Sequence, residues 1–293
     1  MSRRKWKKWM VGYMYLLPSV IFLAIFTIFP VFASFFISLT QWTLINPPKF
    51  IGLENYKNLF SDPTFYWTLW HTVYYTLGSV PLSIILSLLL AIAMNQRIKG
   101  ITIFRSMYFL PVISTWVAVA IVWRWIYNPL FGLLSAFLGI FGISPKNWLG
   151  DTRLAMPSVI ITSVWKGLGY NMILFLAGFQ NISESYYEAA KIDGASRWAQ
   201  FRYITIPLIS PTTFFVLITS VISSFQVFGP IYTMTNGGPV GSTEVLIFYL
   251  FQNGFRWYKM GYASSIAWVL FLIIFIFTLI QYFSSKRWVH YGA

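Results

Sequence analysis

Ser183-Glu184-Ser185-Tyr186-Tyr187-Glu188-Ala189-Ala190-Lys191-Ile192-Asp193-Gly194-Ala195 is the most charged segment between two long apolar runs, about 156–180 and 207–232. Ser185 stands three residues before Glu188, the spacing of a capping box, and Ser183 competes with it as N-cap. The pattern predicts a short helix from about Glu184 to Ile192, ended by a turn at Gly194. Held by a span at each end and exposing Ala189 and Ala190, such a helix offers a partner a close grip.

Outward from this loop the chain is apolar. Its 293 residues are 57% hydrophobic and 20% aromatic, with only 10% charged, which excludes a disordered chain and argues against a soluble globular domain. The net charge of +14 is scattered between apolar runs, so anionic lipid and membrane orientation explain it better than nucleic acid, which is not expected as a partner. The absence of cysteine rules out disulfides and thiolate metal sites, and His71 and His290 are too far apart to suggest a metal centre.

Six spans are expected. Behind a basic stretch at 1–9 (Arg3, Arg4, Lys5, Lys7, Lys8), the first runs from about Met10 to Leu39, too long for a signal peptide and lacking its cleavage site. The others cover about 70–94, 104–127, 156–180, 207–232 and 262–284, and an apolar stretch at Leu133–Phe141 is too short to cross. We read that stretch as a helix at the interface or against the bundle. The domain plan is a basic N-terminus at 1–9, a six-span membrane domain at 10–285 with a loop at about 181–206, and a tail at 286–293. Thirteen Lys and Arg fall on the side of both termini, the second-to-third turn and the charged loop, against six on the other side. That bias predicts that both termini and the loop are cytoplasmic.

Glu188, Ala189, Ala190, Gly194, Ile204, Ile206 and Pro207 stand in the order Glu-Ala-Ala, three residues, Gly, nine residues, Ile, one residue, Leu or Ile, Pro. Here the chain resembles the signature loop of ABC-importer permeases. Leu16-Leu17-Pro18, Phe29-Pro30 and Phe50-Ile51-Gly52-Leu53-Glu54-Asn55-Tyr56 resemble its sugar-importing members. So does Asn236-Gly237-Gly238-Pro239 with Thr243, Tyr249, Phe255, Tyr262 and Ala263, although Gly261-Tyr262-Ala263 replaces the commoner Tyr-Gly-x-Ala. The resemblance covers nearly the whole chain and narrows it to the carbohydrate-uptake branch, the oligosaccharide and glycerol-phosphate type.

The resemblance implies an all-α polytopic protein of the type I importer fold, in a bacterial inner membrane. It also implies a second homologous permease, two cytoplasmic ATPase subunits and an extracytoplasmic solute-binding protein. Glu188, Ala189, Ala190 and Gly194 would then couple to the ATPase, Glu188 through a basic residue there; Asp193 either joins them or only caps the turn. Arg197 and Arg202 either take part or anchor the loop at headgroups. No catalytic residue is expected on this chain. No P-loop is present, so ATP and Mg are expected on the partner ATPase and no cofactor here. All seven Asp and Glu lie in loops or in the signature stretch, which disfavours a stand-alone secondary carrier, the alternative of another class.

A substrate path needs polar and aromatic groups on interior helix faces. Ser163, Lys166 with Gly167, and Tyr170 share one face of the fourth span, with Asn171 beside them. Ser220 and Ser224 in the fifth, with Gln226 a further candidate, and Trp116 with Trp123 in the third complete the set. Hydroxyl, amide and indole groups suit sugars. Lys166 leaves two uses open: it snorkels outward, or it faces a cavity and favours an anionic substrate such as glycerol 3-phosphate or a uronic-acid oligosaccharide.

Overall fold

The computed structural model describes residues 3–96 and 98–290, without the side chains of 3–8. The basic side chains of the N-terminus, Arg97, and the last three residues of the tail therefore lie outside the described residues. Five helices are long and apolar enough to cross a membrane: Trp9–Ser38, Pro63–Met94, Ala155–Gln180, Arg197–Phe225 and Met260–Ser285. The pair Ile101–Ile113 and Trp116–Ile126 makes a sixth span if counted as one, but it is bent by 101°.

In chain order the helices are α1 (Arg3–Leu23), α2 (Phe29–Ser38), α3 (Glu54–Phe60), α4 (Pro63–Met94), α5 (Ile101–Ile113), α6 (Trp116–Ile126) and α7 (Leu133–Ile140). They continue with α8 (Ala155–Gln180), α9 (Glu184–Ile192), α10 (Arg197–Gln200), α11 (Ile206–Phe225), α12 (Leu246–Phe251) and α13 (Met260–Ser285). Short π turns join α1 to α2 and α10 to α11, so each pair runs as one continuous span. β1 (Thr40–Gln41) pairs antiparallel with β2 (Lys49–Phe50) in the one small sheet among the described residues.

Two expected spans need correction. The third is not one helix: Ser114 and Thr115 are extended, with ψ of 144° and 150°, and the Thr115 side chain caps α6 by accepting from the Ala118 N–H at 3.3 Å. A Pro111 without an N–H, followed by this Ser-Thr pair, makes a stop and a start more stable than continuity. The fifth span begins ten residues before Pro207, at Arg197, and stops at Phe225 instead of reaching Tyr232.

The chain forms two compact units. The first comprises residues 1–62 and 250–269. Here the Phe50–Tyr56 segment acts as a clip. Gly52 takes a φ of +63° to turn the chain, and Asn55 Nδ2 donates to the carbonyls of Ser38 (2.8 Å) and Thr40 (2.9 Å). The Tyr56 hydroxyl meets Ser38 Oγ at 2.7 Å. Gly261 opposes this clip, and a Cβ there would overlap the Thr40 carbonyl oxygen.

The second unit, residues 63–249 and 270–293, holds α4, α8 and α11 in close contact. One apolar cluster gathers Tyr75, Tyr127, Val159, Ile231 and Phe248, and another Ala91, Met172, Phe175, Phe179 and Ile209. Close helix approach here rests on small residues, as in other membrane bundles. A Cβ at Gly169 would overlap the Tyr108 carbonyl oxygen of α5, and one at Gly178 the Thr212 hydroxyl of α11. The buried face of α4 carries hydroxyls at steps of three and four: Thr68, Thr72, Thr76, Ser79, Ser83 and Ser87.

Candidate functional site

Between the two apolar clusters lies a cavity of about 390 Å³. On α8 it is walled by Ser163, Gly167, Tyr170 and Asn171, the face that helical spacing picks out. Ser220 and Ser224 of α11 and Trp116 of α6 also line it, as does Gln226 just after α11. Eight of the ten path candidates singled out in the sequence thus share one space, and no Lys, Arg, Asp or Glu is in its lining.

Lys166 does not line it. Its side chain is 9% exposed, and Nζ donates to the Val112 carbonyl at 3.0 Å while standing 5.1 Å from the centre of the Trp116 ring. The cause is the break in the third span. It strips the last-turn carbonyls of α5 of their intrahelical partners and leaves partial negative charge there. Ser114 Oγ covers Leu110 O at 3.2 Å, and the ammonium covers Val112 O. Trp123 is also outside the lining, packed against Tyr127 and Trp165.

Sequence reasoning missed the α4 wall. Tyr75, Ser79 and Ser83 line the cavity, with Thr219, Ser223 and the Phe228–Pro230 turn. The hydroxyl stripe of α4 was the available signal. Some of these groups are committed to the fold: Asn171 Nδ2 donates to Ser83 Oγ at 3.0 Å, and Ser224 Oγ to Thr76 Oγ1 at 3.0 Å. Ser163 Oγ donates to the Val159 carbonyl at 2.8 Å. Ser79 differs, because its buried hydroxyl has no hydrogen-bond partner among the described residues.

At the other candidate stretch, α9 has the bounds expected but a different cap. Ser183, not Ser185, is the N-cap, accepting from the Ser185 N–H at 3.4 Å, so the Ser185–Glu188 capping box does not form. With Ser183 as cap, Tyr186 occupies the position a capping box reserves for Glu or Gln. The helix ends in a Schellman turn. The Ala195 N–H reaches Ala190 O at 2.8 Å, the Gly194 N–H reaches Lys191 O at 3.1 Å, and Gly194 takes a φ of +75°. Glu188, Ala189, Asp193 and Gly194 are exposed, and Ala190 is half-buried. Ile192 is 87% and Trp198 69% exposed, an apolar surface on a segment where solvent contact is otherwise polar.

The sequence family described as the binding-protein-dependent transport system inner membrane component matches residues 68–290. This chain belongs to that family. Among curated relatives, a probable ABC transporter permease protein, YesP of Bacillus subtilis, is 41% identical, the match covering 100% of this chain and 96% of that one. The trehalose/maltose transport system permease protein MalF of Thermococcus litoralis is 36% identical over 95% of each chain. In fold, the chain is similar to a chain in the crystal structure of a bacterial alginate ABC transporter in complex with an alginate pentasaccharide-bound periplasmic protein. The TM-score is 0.87 at 22% identity, with 99% of each chain covered. As an inner membrane transport component the chain is not an enzyme.

Proposed function

We propose that this permease carries a neutral sugar or oligosaccharide inward by alternating access, driven by ATP hydrolysed on separate chains. The observation that carries this reading is the cavity, whose lining offers hydroxyls, amides and aromatic rings and no charge. Its volume falls in the range of small-molecule sites, roughly 300–1,000 Å³. The relatives named for trehalose and maltose, lactose, and arabinooligosaccharide transport support the substrate class. The anionic alternative drew on Lys166, whose ammonium is engaged by Val112 and Trp116 instead.

In this reading a second, homologous permease completes the cavity, and a binding protein delivers substrate to it from outside. Two ATPase copies, holding ATP and Mg, grip α9 on the cytoplasmic side, where both termini also lie. Glu188 faces a basic residue of the ATPase, and Ala189 and Ala190 permit close approach. Gly194 sets the angle of the chain beyond the helix, with Asp193 at its cap. ATP binding then favours the outward-facing state, because the two states differ in affinity for nucleotide.

The test is uptake into vesicles holding the complete complex, with neutral and uronic trisaccharides compared. Neutral substrates are expected to show kcat/KM at least about tenfold higher, the scale of one misplaced charge. A preference for the uronic series would overturn the neutral assignment, and gradient-driven uptake without the ATPase would overturn the mechanism.

A further inference from the structure

We propose that Lys166 is a positioning residue that sets Trp116 as the aromatic wall of the cavity, so that its charge acts on the ring and not on the substrate. The inference rests on reading this cavity as the sugar pathway. Trp116 is the first residue of α6, directly after the extended pair Ser114 and Thr115, so its direction follows the 101° bend. The first restraint on that bend is local: the Thr115 cap at 3.3 Å and the Ser114 Oγ bond to the Leu110 carbonyl at 3.2 Å, just after Pro111. The second restraint comes from α8, where the Lys166 ammonium joins the end of α5 to the ring that starts α6.

The ring has a further contact that leaves it little room. A Cβ added at Gly229 would stand 2.5 Å from Trp116 Cδ1 and 2.7 Å from Cγ, so only glycine allows the indole this place. Trp116 and Gly229 both line the cavity, whereas Lys166 does not. Burying a lysine at mid-span carries a large desolvation cost. The exposed carbonyl end of α5 and the indole face each return part of it. The same two partners explain why the group stays in place and what it does there. Lys166 therefore selects substrate indirectly, by presenting a flat apolar face on which a sugar ring stacks.

Labelling the complete complex with 5-fluorotryptophan tests this without reference to transport. The ¹⁹F line of Trp116, assigned by its loss in Trp116→Phe, is expected to move in Lys166→Met and to stay near its original position in Lys166→Arg. Lys166→Gln, which keeps a polar group, should move it as well and serves if the Met variant does not accumulate. An unmoved line in both neutral variants overturns the proposal. In uptake, Lys166→Met is expected to raise KM about fivefold with kcat within about twofold, the scale of one lost stacking contact. The same change should add nothing in a Trp116→Leu background. Full additivity there would show that Lys166 does not act through the ring. If the line moves while the parent complex carries no sugar, the positioning role stands and the sugar reading falls.

Discussion

In α9 and its flanking segments the side-chain ties are short in sequence: Ser183 accepts from the Ser185 N–H two residues on, and Tyr187 reaches Thr205 across eighteen. In the cavity the ties run far, Asn171 to Ser83 across 88 residues and Ser224 to Thr76 across 148. Nine residues of helix are marginal alone, so α9 depends on its caps and on the spans at its ends. The cavity depends on helices meeting at the correct depth. A change at an exposed position of α9 should therefore alter transport and leave the fold alone, while a change in the wall helices should alter both.

The largest expected effect lies on the local side. Glu188→Lys reverses a charge on an exposed helix face, so the chain should accumulate and assemble normally. Uptake is expected to fall at least about a hundredfold while ATP hydrolysis continues, a loss typical of a hydrogen-bonded charge pair left unmatched at an interface. Measuring ATPase rate and uptake in the same vesicles separates the outcomes; normal uptake would remove Glu188 from the coupling role. On the long-range side, Gly169→Ala places a methyl group against the Tyr108 carbonyl. Pushing α5 off α8 should cost about 1–3 kcal/mol, seen as a lower unfolding temperature of the purified complex. An unchanged temperature would mean that the α5–α8 approach is soft.

That contrast also explains what the sequence made legible. The bounds of α9 and the turn at Gly194 follow from residues adjacent in the chain, so short-range chemistry was enough. Only the choice between Ser183 and Ser185 as cap went the other way, and those two hydroxyls lie 2.8 Å apart. On α8 helical spacing put Ser163, Lys166 with Gly167, and Tyr170 on one face with Asn171 beside it, and of these only Lys166 falls outside the cavity lining. On α4 the matching signal was a row of serines and threonines, which in a membrane helix equally serve packing and backbone bonding. The bend in the third span left only Pro111, Ser114 and Thr115 as a trace. The partner of Lys166 left none, because Val112 is 54 residues away and offers only its backbone.

The smallest effect has the most informative sign. Ser79 is a buried serine in the cavity wall whose hydroxyl has no partner among the described residues, while Thr72 and Ser87 of the same α4 stripe bond to their own helix. An orphan hydroxyl costs about 1–3 kcal/mol, so removing it should stabilise the chain by up to about 1 kcal/mol once the small packing loss is counted. A residue kept only for packing would lose stability on truncation and leave transport unchanged. If Ser79 instead meets a hydroxyl of the passing sugar, Ser79→Ala should raise the unfolding temperature of the empty complex and raise the uptake KM about three- to tenfold, because one neutral hydrogen bond is lost only when substrate is present. Stability and affinity would then move in opposite directions from a single atom, which distinguishes a group held for ligand from one held for the fold. A lower unfolding temperature with an unchanged KM would assign Ser79 to the packing of α4 and leave Tyr75 and Ser83 as that helix's polar share of the cavity wall.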